Sequence, residues 1–102
     1  MDEEIPVANP PLTIEEQSAV ARLNDIDLQA IDAAILANSS ERWLKVARVV
    51  MSTAEVLKNR FPGLSYVFYA QCLCRLVSEG RLESKGNVSF MRFSEVRLPV
   101  RS

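Results

Sequence analysis

The residues of this chain best suited to chemistry are five scattered cations and one short helical face. Lys45, Arg48, Arg81, Lys85 and Arg92 are candidate phosphate holders, able to give a salt-dependent surface for a nucleic acid backbone. The segment from Ser65 to Glu79 reads as a helix whose outer face carries Val67, Phe68, Gln71, Arg75, Ser78 and Glu79. Base readout needs Arg, Lys, Asn or Gln on such a face, and Arg75 and Gln71 are thin equipment for it. With Val67 and Phe68 turned outward, the same face makes an apolar patch suited to a protein partner or a second copy of the chain. Val67, Phe68, Gln71 and Arg75 are therefore the candidate protein-contact residues. The other cover for this patch is the chain's own N-terminal arm, through Ile5 and Val7.

Catalysis is poorly served. The sequence has no His to act as a base near neutral pH or as a metal ligand, and no Gly-rich phosphate loop or nucleophile elbow. The acids at Asp2 to Glu4 and at Glu15 and Glu16 read as solvated charges. We therefore expect no enzymatic activity, no metal, no cofactor and no small-molecule substrate. Cys72 and Cys74 lie two apart on the predicted helix, about 200° from each other around its axis, too divergent to bridge or to share a metal. They read as reduced thiols packed as small apolar groups.

Asp32 falls on one stripe with Leu28, Ile31 and Ile35. A carboxylate buried there needs a partner, since an isolated one costs several kcal/mol on desolvation. Arg48 and Arg75 are the candidates, in a structural role.

The net charge of −1 conceals a division. Residues 1 to 37 hold eight acids against the single base Arg22, giving −7, and residues 38 to 102 hold eleven bases against five acids, giving +6. A basic half attracts phosphate, and an acidic half opposes it or pairs with it within the fold.

These side chains have to be positioned by a small fold. At 102 residues the sequence has room for one domain, placed at 13 to 102 behind a flexible arm at 1 to 12 that contains Pro6, Pro10 and Pro11. No apolar run approaches the roughly 20 residues of a membrane span. The acidic, proline-bearing start is unlike a signal peptide, so the chain reads as cytoplasmic and bacterial in style. Thr13 and Glu16 form a capping box for a helix from Ile14 to about Leu23. Asn24 or Asp25 caps a second helix to about Ala37, with Asn38 as its stop. Trp43, Val46, Ala47, Val50, Ala54 and Leu57 then recur at helical spacing, with Trp43 expected in the core. A second capping box at Ser52 and Glu55 is able to split this stretch in two. Phe61 and Pro62 end it.

Gly63 then turns the chain, Ser65 caps, and the helix runs to Glu79 before Gly80. Tyr66, Tyr69, Ala70, Leu73, Leu76 and Val77 are its expected core face. Arg81 to Ser84 and Val88 to Phe93 read as two strands about a turn at Lys85, Gly86 and Asn87. Val96, Leu98 and Val100 extend the second. The predicted fold is mainly α with a C-terminal β-hairpin.

Asp32, Ile35 and Leu36, then Gly63, Leu64 and Ser65, then Leu73, Leu76, Gly80 and Leu82 together resemble the winged helix-turn-helix domains of bacterial regulators of the leucine-responsive or asparagine type. The likeness covers roughly residues 26 to 93. With Trp43, Lys45, Val46, Ala47, Arg48 and Val49 and the closing Ser94 to Leu98, the chain also resembles the bacterial domain-of-unknown-function 3658 family. The resemblance implies a winged-helix scaffold and brings no catalytic residue or cofactor. The expected function is a small winged-helix domain acting by protein contact, as a dimerising regulatory subunit or an inhibitor or immunity-type protein. The alternative is a DNA-binding transcriptional regulator using Lys45, Arg48, Arg81, Lys85 and Arg92.

Overall fold

Thr13 opens the first helix as its capping box requires. Its hydroxyl accepts from the Glu16 amide at 3.2 Å, and its own amide donates to the Glu16 carboxylate at 2.8 Å. A computed structural model describes residues 10 to 100, so of the expected arm only residues 10 to 12 are described, and Ile5 and Val7 lie outside the described residues. The first helix, α1, spans Ile14–Ala21 and contains no fully buried residue. It meets the core through partly buried Val20, with Leu12 and Leu23 at its two ends.

Helix α2 spans Asp25–Ala37 and opens on a second capping box, absent from the sequence reading, in which Asn24 and Asp27 satisfy each other's amides at 2.8 and 3.2 Å. Ile31, Asp32 and Ile35 are its buried positions. Its end is closed by side chains, with Asn38 donating to the Ala34 carbonyl and Ser39 to that of Ile35, both at 2.8 Å. Asn38 itself stays out of the left-handed region.

The third stretch departs from expectation at its start, and of the two readings of its middle it takes the single helix. Leu44–Lys45 is a strand, β1, and helix α3 begins only at Val46, running unbroken through Ser52 and Glu55 to Leu57. No side chain caps α3. Its first amides are met by the returning chain instead, Val46 donating to the Ser94 carbonyl and Ala47 to that of Met91, each at 3.0 Å. With its start fixed by tertiary partners and Val46, Val49, Val50, Thr53 and Leu57 buried along one face, the internal capping signal has nothing to terminate.

Helix α4 spans Tyr66–Ser78. Ser65 occupies the N-cap backbone position, yet its side chain makes no capping bond. Gly63 is needed for closeness: a Cβ there would stand 3.3 Å from that of Ala19 on α1. Gly80, at φ +79°, ends α4 in a left-handed conformation, with Gly80 N–H donating to Val77 and Arg81 N–H to Leu76 at 3.0 and 2.9 Å. That is the paired bonding of a Schellman motif.

Strand β2 is Glu83–Lys85, and β3 is Glu95–Arg97. The expected strand from Val88 to Phe93 is instead a pair of turns. The Asn87 side chain accepts from Ser89 at 2.9 Å, and the Phe90 and Phe93 amides reach back three residues, so local bonds replace a ladder. The three strands form an antiparallel sheet in the order β1-β3-β2, with Val96 opposite both Leu44 and Ser84. The molecule is thus mainly helical with a small antiparallel sheet. Its core joins Ile31 and Ile35 of α2, Val46, Val49 and Val50 of α3, Leu73 and Leu76 of α4, and Leu82 and Val96 from the hairpin. Among the described residues, no helix is long and apolar enough to cross a membrane.

Candidate contact groove between the helices

Helix α4 packs against both α2 and α3, so its buried arc is wider than a one-sided amphipathic helix needs. That explains the main difference from the sequence reading of its faces. Val67 and Phe68, expected outward, are 4% and 8% exposed, and Tyr66, expected in the core, is 37% exposed. What remains outward is the narrow stripe Gln71, Arg75 and Ser78, with Glu79 beyond it, at the three- and four-residue spacing of one helical face.

Three of the four candidate contact residues still converge. Phe68, Gln71 and Arg75, with Cys72, form one wall of an open groove of about 540 Å³. The other wall is α2, through Asp25, Leu28, Gln29 and Asp32, and Val20 of α1 closes one side. Val67 is not among the residues lining it. The sequence alone places Asp25 only as a candidate cap and assigns no contact role to Gln29 or Val20, although Asp25, Gln29 and Asp32 recur at four and three residues and mark one face of α2.

Asp32 has the arginine partner that its position demanded. Its Oδ1 lies 2.5 Å from a terminal guanidinium nitrogen of Arg75, and the other terminal nitrogen stands 3.1 Å from Glu79. The hydrogen bond to Asp32, opposed by burial and helped by Glu79, holds the Arg75 guanidinium above its ordinary range. Beside this pair, burial and then the Asp32 charge push the Cys72 thiol up to about 11, with Arg75 opposing. Burial also raises Cys74, whose sulfur points at the Val88 carbonyl at 3.7 Å. Both cysteines are free thiols.

A second, smaller groove of about 420 Å³ lies between α1 and the turn before α4, where Arg60 reaches Asp27 at 3.6 Å and lies over the Phe61 ring. Next to it, Glu16 is held below the usual carboxylate range, first by the neighbouring Ser65 hydroxyl and then by the Thr13 backbone, although the Ser65 hydroxyl closes no strict hydrogen bond.

The candidate phosphate holders lie elsewhere. Lys45, Arg48, Arg81, Lys85 and Arg92 are all exposed. Lys45 and Lys85 both stand opposite Glu95 in the sheet, and Arg92 is already engaged by a neighbour. Trp43 lies half-buried on this sheet face instead of in the core, because the chain turns into β1 before α3 begins. The Arg97 guanidinium sits 4.5 Å and the Lys85 ammonium 4.7 Å from its ring, and Arg97 is held by Glu83 at 2.6 Å. Among the described residues, no cluster of acids, cysteines or histidines is arranged to hold a metal ion.

No family model matches the chain, and no curated protein or solved structure matches it.

Proposed function

We propose that this chain is a winged-helix-like domain that works by protein contact through the groove between α2 and α4. From α2 onward the order of helix, short strand, two helices and two further strands, with β3 between β1 and β2, supports the winged-helix reading. So do the placements of Gly63 at the turn, Leu73 and Leu76 in the core, and Gly80 at the helix stop. The observation that carries the protein-contact reading is the state of Arg75. It is the single cation of α4, and two carboxylates hold it, so of the Arg, Lys, Asn and Gln side chains best suited to base readout this helix presents only the Gln71 amide unencumbered. The apolar floor beside it, from Phe68 and Leu28, suits a protein side chain.

A DNA-binding reading has one observation in its favour, the cationic sheet face of Lys45, Lys85 and Arg97 with Arg48 nearby in sequence. Two titrations of the full chain separate the readings. A labelled random duplex at low salt is expected to show no saturable binding, while Nile red, a neutral apolar probe, is expected to bind and to be displaced by Gln71→Trp. Duplex affinity that falls steeply with salt and vanishes when Arg48 and Lys85 become Glu would establish the DNA reading instead.

A further inference from the structure

Resting on the protein-contact reading, the geometry points to one class of partner: we propose that the groove receives a cationic amphipathic segment of another protein, apolar side chains down and Lys or Arg at the rim. The floor is apolar, built from Val20, Leu28 and Phe68. The rim is acidic. Asp25 and Asp32 line it against the single guanidinium of Arg75, and Glu79, outside the lining, holds that same guanidinium, a local balance of −2; Asp25 has no ion-pair or hydrogen-bond partner among the described residues. The surrounding α1 and α2 belong to the half of the sequence whose balance is −7, so the field around the groove attracts cations.

Gln29 and Gln71 face the groove from α2 and α4, and neither amide has a partner among the described residues. Each offers donors and an acceptor to the polar shoulder of a docked segment. The same charge argues against the chain's own arm, whose Asp2, Glu3 and Glu4 repeat the sign of the rim. Two helices with an apolar trough between them, one rim charged, is the arrangement in which an amphipathic helix lays its apolar face.

The test uses the full chain and three short labelled peptides, followed by fluorescence anisotropy. The first carries Leu at helical i, i+3, i+4 and i+7 spacing with Lys elsewhere. The second has the same composition scrambled, and the third has Glu in place of Lys. The first is expected to bind. Its Kd should rise at least about tenfold in Asp25→Lys and in Gln71→Trp, both at exposed positions, with circular dichroism confirming that each variant folds.

Equal binding of the scrambled peptide, or binding strengthened by Arg48→Glu and unchanged by Gln71→Trp, would reduce the effect to net charge and overturn the proposal. Binding of the Glu peptide that Gln71→Trp abolishes would keep the groove as a docking site and overturn its charge class. Failure of all three peptides would remove the groove reading itself. A concentration-dependent dimer in sedimentation velocity, lost in Gln71→Trp, would assign the groove to a second copy. Peptide binding seen only when Ile5 and Val7 are changed to Asp would assign it to the arm.

Discussion

Asp32 on α2 and Arg75 on α4 meet at 2.5 Å and tie together the two walls of the groove, 43 residues apart in sequence. The pair is asymmetric. The Asp32 side chain is 12% exposed, while that of Arg75 is 42% exposed and also touches Glu79. Losing either partner therefore has unequal consequences, because the cost is set by what is left behind. Arg75→Met strands a buried carboxylate and is expected to lower stability by about 2–3 kcal/mol. Asp32→Asn leaves a cation that water and Glu79 still satisfy, and is expected to cost about 1 kcal/mol. Urea unfolding of both variants and of the double variant checks the order.

Gly80 is expected to resist substitution for a backbone reason alone. A Cβ there meets nothing within 4 Å, but the residue sits at φ +79°. Gly80→Ala should cost about 1–2 kcal/mol, and Gly80→Asn less, since Asn tolerates this region. Thermal melts of the two variants separate conformational strain from packing.

The Cys72 thiol gives a pH dependence of defined sign. Its folded value of about 11 lies above the ordinary 9.0, so the neutral form is favoured by folding. The associated stability is fully present below about pH 9 and is lost as pH rises toward 11. At pH 8 this difference of two units leaves about a hundredfold less thiolate in the native than in the unfolded chain. Cys72 alkylation by iodoacetamide, followed in Cys74→Ala, should be correspondingly slow in buffer and fast in urea.

Trp43, the single tryptophan, reports on the sheet face. With Arg97 and Lys85 both within 5 Å of its ring centre, iodide should quench its fluorescence more strongly than caesium. Lys85→Gln should narrow the difference. Equal quenching by the two ions would place the cations away from the indole.

Local signals in the sequence were reliable where local bonds decide the outcome. Thr13 with Glu16, the Gly80 stop and the Asp32 stripe each led to the observed cap, terminator and arginine pair. Signals failed where distant chain decides. The amides of Val46 and Ala47 are met by Ser94 and Met91, about 45 residues away, and no pattern near Trp43 announces that. The faces of α4 were misread for Tyr66, Val67 and Phe68 because periodicity marks one buried side, whereas α2 and α3 cover two. Val88 to Phe93 has strand composition, yet Asn87 draws it into turns. The groove was half legible. Phe68, Gln71 and Arg75 were named from α4, but their companions on α1 and α2 are brought to them only by tertiary packing.

The proposed contact site is the α2–α4 groove. Amide and side-chain NMR shifts of the full chain, recorded during titration with the Leu–Lys helical peptide and then with a random duplex, test it most directly. Saturable shifts are expected at Val20, Leu28, Gln29, Gln71 and Arg75 with the peptide and none with the duplex. Saturable duplex shifts at Lys45, Arg48 and Lys85, with the groove silent toward the peptide, would contradict it.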